Sequence, residues 1–302
     1  MNIDFVHKLK EHITEGVVLE HEPMGRHTTF QVGGPADLFV EPGSREELRY
    51  VVEEARQAQV PFFVVGNGSN LLVSDDGFRG MILHIGKKLS HISSRGTVIE
   101  ADAGVSLSRI AREAFDKSLT GMEFAAGIPG SLGGAVVMNA GAYGSEMKDI
   151  LTEVDVLTGQ GRFMTISAKD LDLSYRHSCV EEKGYIVLGA RMCLCRGDQH
   201  LIRDRMNELA MARRQKQPLA YPSAGSTFKR PEGHFAGRLI QDAGLKGYTV
   251  GGAQVSEKHS GFVINRGGAE ADEIAFLIRQ VQKKVYRQSG VKLEPEVRFI
   301  GF

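Results

Sequence analysis

The residues of this 302-residue chain that could do chemistry fall in turns marked by glycine and proline. The longest such stretch is 127–144, GIPGSLGGAVVMNAGAYG, in which Pro129 fixes a bend near the start. Glycine admits positive φ and lets a ligand come within contact distance of main-chain N–H groups. Successive N–H groups aimed into a concavity hold an anion without any lysine. The same stretch would also suit a tight loop in a crowded core. A second loop, Gly66-Asn67-Gly68-Ser69-Asn70, follows the apolar, strand-like run 61–65 and moves the balance toward a ligand. It begins like the G-x-G-x-x-G fingerprint, but Leu71 stands where the last glycine belongs, and no G-x-x-x-x-G-K-[ST] occurs anywhere. Two such loops outside the common nucleotide signatures suggest a dinucleotide gripped from two sides.

Three polar clusters sit in turns of the same kind, where side chains tend to be displayed. Ser174-Tyr175-Arg176-His177-Ser178 could be no more than a surface arginine in a salt bridge. Ala224-Gly225-Ser226-Thr227-Phe228-Lys229-Arg230-Pro231 could hold an ordinary turn serine. Glu294-Pro295-Glu296-Val297-Arg298 could open a strand with a solvated acid. Arg213, Arg214 and Lys216, just before Pro218, suit a solvated helix end favoured by the helix dipole.

Taken together, the motifs carry a resemblance. GNGSN after a strand and GIPGSLGGAVVMNAGAYG about sixty residues later resemble the flavin-binding half of the UDP-N-acetylenolpyruvoylglucosamine reductase family. That family shares the FAD-binding fold of vanillyl-alcohol oxidase. The match runs from Thr28-Thr29-Phe30-Gln31-Val32-Gly33-Gly34 to Glu294-Pro295-Glu296-Val297-Arg298. It implies an α+β protein, with a FAD-binding region over 1–200 (subdomains of about 1–78 and 79–200) and a smaller α+β substrate-binding domain over 201–302. It also implies FAD as cofactor and NADPH as reductant. The FAD contacts fall on Gly66, Asn67, Gly68, Ser69, Asn70, Gly127, Ile128, Pro129, Gly130, Ser131, Gly133, Gly134, Asn139, Gly141 and Ala142. Neither loop contains a histidine or cysteine to anchor the isoalloxazine, so the flavin is expected to be held non-covalently.

Matched motif by motif, the family's catalytic arginine, serine and glutamate fall on Arg176, Ser226 and Glu296. The implied reaction adds hydride from reduced flavin to the terminal carbon of an enolpyruvyl double bond. Negative charge then develops on the adjacent carbon and spreads into the carboxylate, which suits a fixed guanidinium with directed donors at Arg176. Ser226 can protonate that carbon, because a carbanion is far more basic than an alkoxide, if a neighbour such as Lys229 stabilises what remains. A carboxylate beside an enolate repels it, so Glu296 contributes most when protonated or hydrogen-bonded to a donor. By resemblance Lys216 lies near the diphosphate of the substrate, and Tyr143 is a further substrate candidate. The span from Arg176 to Ser226 is short, without the insertion that some members fold over the substrate, which marks the compact type.

The elements that must position these groups follow from periodicity. Ser44-Arg45-Glu46-Glu47 reads as a capping box, with Ser44 accepting from the N3 amide and Glu47 reaching back, before Leu48, Val51, Val52 and Ala55 at helical spacing. A strand over 28–40 is interrupted by Gly33-Gly34-Pro35, and the strand of 62–65 delivers the chain to the first glycine loop. Ser106 caps a second helix whose buried face is Leu107, Ile110, Ala111, Ala114 and Phe115. Hairpins are expected over 91–101 and 150–166, and strands over 80–85, 185–194, 248–255, 261–264 and 296–300. Helices are expected over 1–14, 201–215, 235–243 and 272–288, the last with Ile274, Leu277, Ile278, Val281 and Val285 inward and Gly290 at its end.

The chain is long enough for two or three domains. Its charge is balanced, 37 Lys+Arg against 37 Asp+Glu, which favours neither nucleic acid nor a membrane surface as partner. Ten histidines without H-x-x-x-H or Cys/His spacing point away from a catalytic metal. Three cysteines form no disulfide framework and suit reduced, core or half-buried thiols. The N-terminus is amphipathic rather than a signal peptide, and no apolar run approaches bilayer length, so the chain is expected to be cytoplasmic. No obligatory protein partner is evident. The leading reading is an NADPH-dependent reductase that converts UDP-N-acetylglucosamine enolpyruvate to UDP-N-acetylmuramate. The alternatives are a FAD-dependent alcohol or lactone oxidase of the same fold, and a catalytically silent flavin- or nucleotide-binding module.

Overall fold

The structure, a computed structural model, describes residues 3–302. The expected N-terminal helix is present as Ile3–His12; Met1 and Asn2 lie outside the described residues. The chain divides into two compact units. The first comprises residues up to Glu20 together with Leu38–Asn67 and Gly80–Ala212. The second comprises His21–Asp37, Gly68–Arg79 and Arg213–Phe302.

A five-stranded antiparallel sheet forms the body of the first unit, in the order Phe163–Ser167, Leu151–Leu157, Ile186–Cys193, Val98–Asp102, Ile92–Arg95. Its strands follow the alternation in the sequence: Ile99 and Ala101 point into the core while Val98 and Glu100 stay out. Over it packs the helix Leu107–Asp116, started by Ser106, whose hydroxyl accepts from the Arg109 amide. In a second sheet Phe62–Val65 runs parallel to Phe78–His84, with Phe62 opposite Met81 and Val65 opposite His84. The end of Phe62–Val65 opens directly into the first glycine loop.

The helix Arg45–Gln57 buries Leu48, Val51, Val52 and Ala55, and Ser44 accepts from the Glu47 amide at 3.2 Å as the capping pattern requires. Glu47 does not close the box. Its carboxylate accepts from the amides of Gly43 (2.7 Å), Thr14 (2.8 Å) and Glu15 (2.9 Å), and so fastens two neighbouring turns to the helix start. Burial pushes this carboxyl up, but the three main-chain donors outweigh burial and hold it below its ordinary value of 4.5. A depressed folded value means that the stabilisation is complete above the usual carboxylate range and is lost as pH falls through that range and then through the folded value. Glu47→Gln is therefore expected to cost about 1–3 kcal/mol at neutral pH. In denaturant unfolding the difference from the parent should shrink in acid; an equal difference at every pH would show that shape, not charge, is what the side chain supplies.

In the second unit the three-stranded antiparallel sheet Thr249–Val250, Ala253–Val255, Val263–Asn265 lies against the helix Ala271–Ser289. That helix turns Ile274, Leu277, Ile278, Val281 and Val285 inward, as their spacing predicts, and ends at Gly290 with φ 71°. The single strand expected over 248–255 is instead a hairpin. Gly251 takes φ 52°, and the Glu273 carboxylate occupies the space a side chain there would need while accepting from the Gly252 amide at 2.9 Å. The strand expected from residue 28 starts only at Pro35, because Gln31 (φ 58°) and Gly33 (φ 124°) break the extended run. A parallel pair, Leu71–Val73 with Arg298–Ile300, joins the segment after the first glycine loop to the chain's end. The thiols also differ from expectation. Cys179 is buried, but Cys193 and Cys195 are exposed, one at the end of a long strand and the other opening the two-residue strand Cys195–Arg196.

Candidate active site

Both glycine loops contribute to the first unit, which contains Gly66 and Asn67 from one and residues 127–144 from the other. They touch. The Asn67 side chain donates to the Pro129 carbonyl at 3.3 Å, and a Cβ on Gly66 would fall on the Ser131 hydroxyl. In the second stretch the amides of Leu132 and Gly133 are already engaged, by the carbonyls of Val105 (2.8 Å) and Ala103 (2.9 Å), and Ile128 donates to Ala125. These bonds fold 127–133 against 103–107 and start the short helix Leu132–Val137. The N–H groups of Gly66, Asn67, Gly130 and Ser131 meet no acceptor among the described residues. A set of main-chain donors without an acceptor among the described residues therefore remains where the two loops meet.

Farther along, the same stretch builds the seat of Arg176. Asn139 is fully buried, with φ 39°, and its amide is engaged at both ends. Nδ2 donates to the Ser174 carbonyl and to Glu146 Oε2, each at 3.0 Å, and Oδ1 accepts from the Lys148 amide at 2.9 Å. Ser174 and His177 exchange both main-chain bonds, which leaves Tyr175 and Arg176 at the tip of a tight turn. Arg176 has φ 56°, a strained conformation for a non-glycine residue. Its guanidinium lies 4.9 Å from the centre of the Tyr175 ring, and Nη2 donates to the Gly141 carbonyl at 3.4 Å. Gly141–Ala142 pairs with Ser145–Glu146, and Tyr143, half-exposed at the tip of that hairpin, donates to the Leu209 carbonyl at 3.4 Å.

The second unit contains Gly68, Ser69, Asn70, Lys216, Ser226, Lys229 and Glu296. Gly68 has φ 60° and packs on the His27 carbonyl, and its own carbonyl accepts from the Thr29 amide at 3.1 Å. Asn70 clips the segment of Glu296: its side chain donates to the Glu296 carbonyl at 3.0 Å and its carbonyl accepts from the Arg298 amide at 3.0 Å. Glu296 in turn donates its amide to the carbonyl of Thr227, the residue after the exposed Ser226. Lys229 donates its amide to the Glu294 carbonyl and holds Nζ 3.7 Å from Glu294 Oε2. This half-exposed pair is worth little and leaves the ammonium exchangeable toward a ligand anion. Lys216 is exposed at the end of the helix Gln199–Lys216, where Lys258 donates to the Arg214 carbonyl.

The sequence matches two families, the FAD binding domain over residues 35–167 and the C-terminal domain of UDP-N-acetylenolpyruvoylglucosamine reductase over 217–300. A UDP-N-acetylenolpyruvoylglucosamine reductase from Agathobacter rectalis is 53% identical over 100% of this chain and 99% of its own length. One from Caldanaerobacter subterraneus is also 53% identical, over 98% of each. This chain belongs to the UDP-N-acetylenolpyruvoylglucosamine reductase family. The reductase of Thermus caldophilus shares its structure at TM-score 0.83 and 36% identity, covering 94% of this chain and 99% of that one. A length of 302 residues is consistent with the compact form of the family. The glucose dehydrogenase Phl p 4.0202, at TM-score 0.50 and 15% identity, shares the fold over 65% of this chain. The fold is the FAD-binding type of vanillyl-alcohol oxidase, followed by the reductase C-terminal domain.

The reductase fold implies FAD, and the residues present fit it. Two glycine loops meet with main-chain donors unengaged, as a pyrophosphate needs, and a side chain at Gly66 would push them apart. Gly66→Val is accordingly expected to weaken FAD binding at least about tenfold, some 1.4 kcal/mol. Flavin fluorescence during titration of apoprotein would read this; unchanged affinity would show that the loop junction does not hold the cofactor.

Asn139, expected among the FAD contacts, is fully buried with its side-chain amide engaged by Ser174, Glu146 and Lys148, partners brought together only in three dimensions. Thr227 gave no signal beyond its place beside Ser226.

Proposed function

We propose that this chain is an NADPH-dependent flavoenzyme that reduces UDP-N-acetylglucosamine enolpyruvate to UDP-N-acetylmuramate, a step of peptidoglycan precursor synthesis, and that it acts in the cytoplasm. The observation that carries the reading is full-length identity of 53% to reductases of this name. Among the described residues no helix is long and apolar enough to cross a membrane.

In this reading residues 1–200 serve the flavin and 201–302 the substrate. Gly66, Asn67, Gly130 and Ser131 offer main-chain donors to the pyrophosphate, with Gly68, Ser69, Asn70, Gly127, Ile128, Pro129, Gly133, Gly134, Gly141 and Ala142 shaping the loops around a non-covalent FAD. Asn139 contributes from beneath, through the bonds that brace the stretch. Bound there, FAD supplies hydride transfer from NADPH to the terminal enolpyruvyl carbon. Arg176 faces the charge that builds on the adjacent carbon and the carboxylate; its turn holds the guanidinium before the charge appears, so little reorganisation opposes the step. Ser226 gives its hydroxyl proton to that adjacent carbon, and Lys229 steadies the alkoxide left behind. Glu296 takes part in the reaction either protonated or hydrogen-bonded to a donor. Lys216 serves the nucleotide diphosphate of the substrate, and Tyr143 is a further substrate residue.

Oxygen uptake followed alongside NADPH oxidation tests the reading against an oxidase of the same fold. NADPH should be consumed one for one with the enolpyruvyl substrate and without oxygen uptake. Turnover that requires oxygen and ignores the enolpyruvyl compound would overturn it.

A further inference from the structure

Thr227 is the one polar residue beside the candidate acid that is wholly removed from solvent. All its polar atoms are engaged. Its amide donates to the Gly261 carbonyl at 2.8 Å, its carbonyl accepts from the Glu296 amide at 2.8 Å, and its hydroxyl oxygen accepts from the Val263 amide at 2.9 Å. Two segments distant in sequence, 261–263 and that of Glu296, meet on this residue. On its N-terminal side Gly225, at φ 74°, turns the chain so that Ser226 stands exposed. On its C-terminal side Phe228 bridges Pro295 and Lys229 donates to Glu294, so the contact with the Glu296 segment continues. Gly261 is itself fixed, its amide donating to His259 Nδ1 at 3.1 Å.

We propose that Thr227 is a positioning residue for the protonation step: its hydroxyl, by taking the Val263 amide, sets the direction of Ser226 relative to Glu296. The inference rests on the reading of Ser226 as proton donor. The hydroxyl matters because Val263 is buried and its amide has this one acceptor. Without it the amide is left unsatisfied in the interior, and the Ser226 turn must shift to relieve that. A misplacement of about 1 Å at a reacting group can cost roughly 10²-fold in rate. Isosteric removal of the hydroxyl therefore tests it, since valine keeps the shape of threonine and serine keeps the hydroxyl.

Thr227→Val, Thr227→Ser and Ser226→Ala are compared as FAD-loaded proteins. Thr227→Val should be reduced by NADPH at close to the parent rate, yet reoxidise with the enolpyruvyl substrate about tenfold to 10²-fold more slowly. In deuterated water the parent should place deuterium at the carbon next to the carboxylate in one configuration; Thr227→Val should give a mixture, because solvent competes with a misdirected Ser226. That ratio is read per turnover and does not depend on how much protein folds. Amide exchange at Val263 should quicken in Thr227→Val and stay slow in Thr227→Ser, which should also keep rate and configuration near the parent. Thr227→Val with parent reoxidation and a single configuration, beside a crippled Ser226→Ala, would overturn the positioning role and leave the donor role standing. Ser226→Ala with parent reoxidation would instead remove the reading on which the inference rests.

Discussion

Ser226→Ala is expected to fold, bind FAD and accept hydride from NADPH at close to the parent rate, and to fail only when the enolpyruvyl substrate is added. The loss should be roughly 10²–10⁴-fold, the range for a positioned proton donor. The geometry supports a clean result. Ser226 is exposed at a turn fixed by its neighbours, with Gly225 supplying the left-handed bend and Thr227 the anchoring bonds. Removing one exposed hydroxyl leaves that framework in place. Ser226→Cys should recover part of the activity, since a thiol also donates a proton, though the larger sulfur alters the distance. Stopped flow separates the half-reactions. An unimpaired oxidative half-reaction in Ser226→Ala would sink the donor role.

Arg176→Ala is expected to spare flavin reduction while slowing transfer to substrate by about 10²–10³-fold, the usual cost of losing one stabiliser of developing negative charge. Arg176→Lys should recover only a fraction, because an ammonium lacks the planar fork of guanidinium. The arginine sits at a left-handed position in a turn braced from below by Asn139, an arrangement that uses strain to aim one side chain. Equal losses in both half-reactions would make Arg176 a structural residue instead.

Local signals carried much of the fold. The stripe Ile274, Leu277, Ile278, Val281 and Val285 fixed both the face and the phase of its helix, because 3.6-residue periodicity survives any tertiary context that buries one side. Ser44 gave its cap for the same local reason. Glu47 did not follow its local pattern, since its carboxylate took the amide of nearby Gly43 together with those of Thr14 and Glu15, which only the folded chain brings near. The hairpin within 248–255 was hidden because Gly251 and Gly252 serve a bend whose partner, Glu273, lies some twenty residues on. The glycine stretch reads in sequence as a tight, conformationally special loop, but the division of its amides does not: Leu132 and Gly133 bond Val105 and Ala103, while Gly130 and Ser131 stay unengaged. Asn139 and Thr227, which brace the turns of Arg176 and Ser226, carry no spacing signature, because these partners are main-chain atoms of distant segments.

An anaerobic absorption titration of the purified protein shows whether NADPH reduces the flavin and the enolpyruvyl substrate reoxidises it. The proposed function requires a flavin spectrum that bleaches on addition of NADPH and returns on addition of UDP-N-acetylglucosamine enolpyruvate, with oxygen absent throughout. A flavin band that NADPH leaves unchanged, or one that returns only when oxygen is admitted, would contradict it.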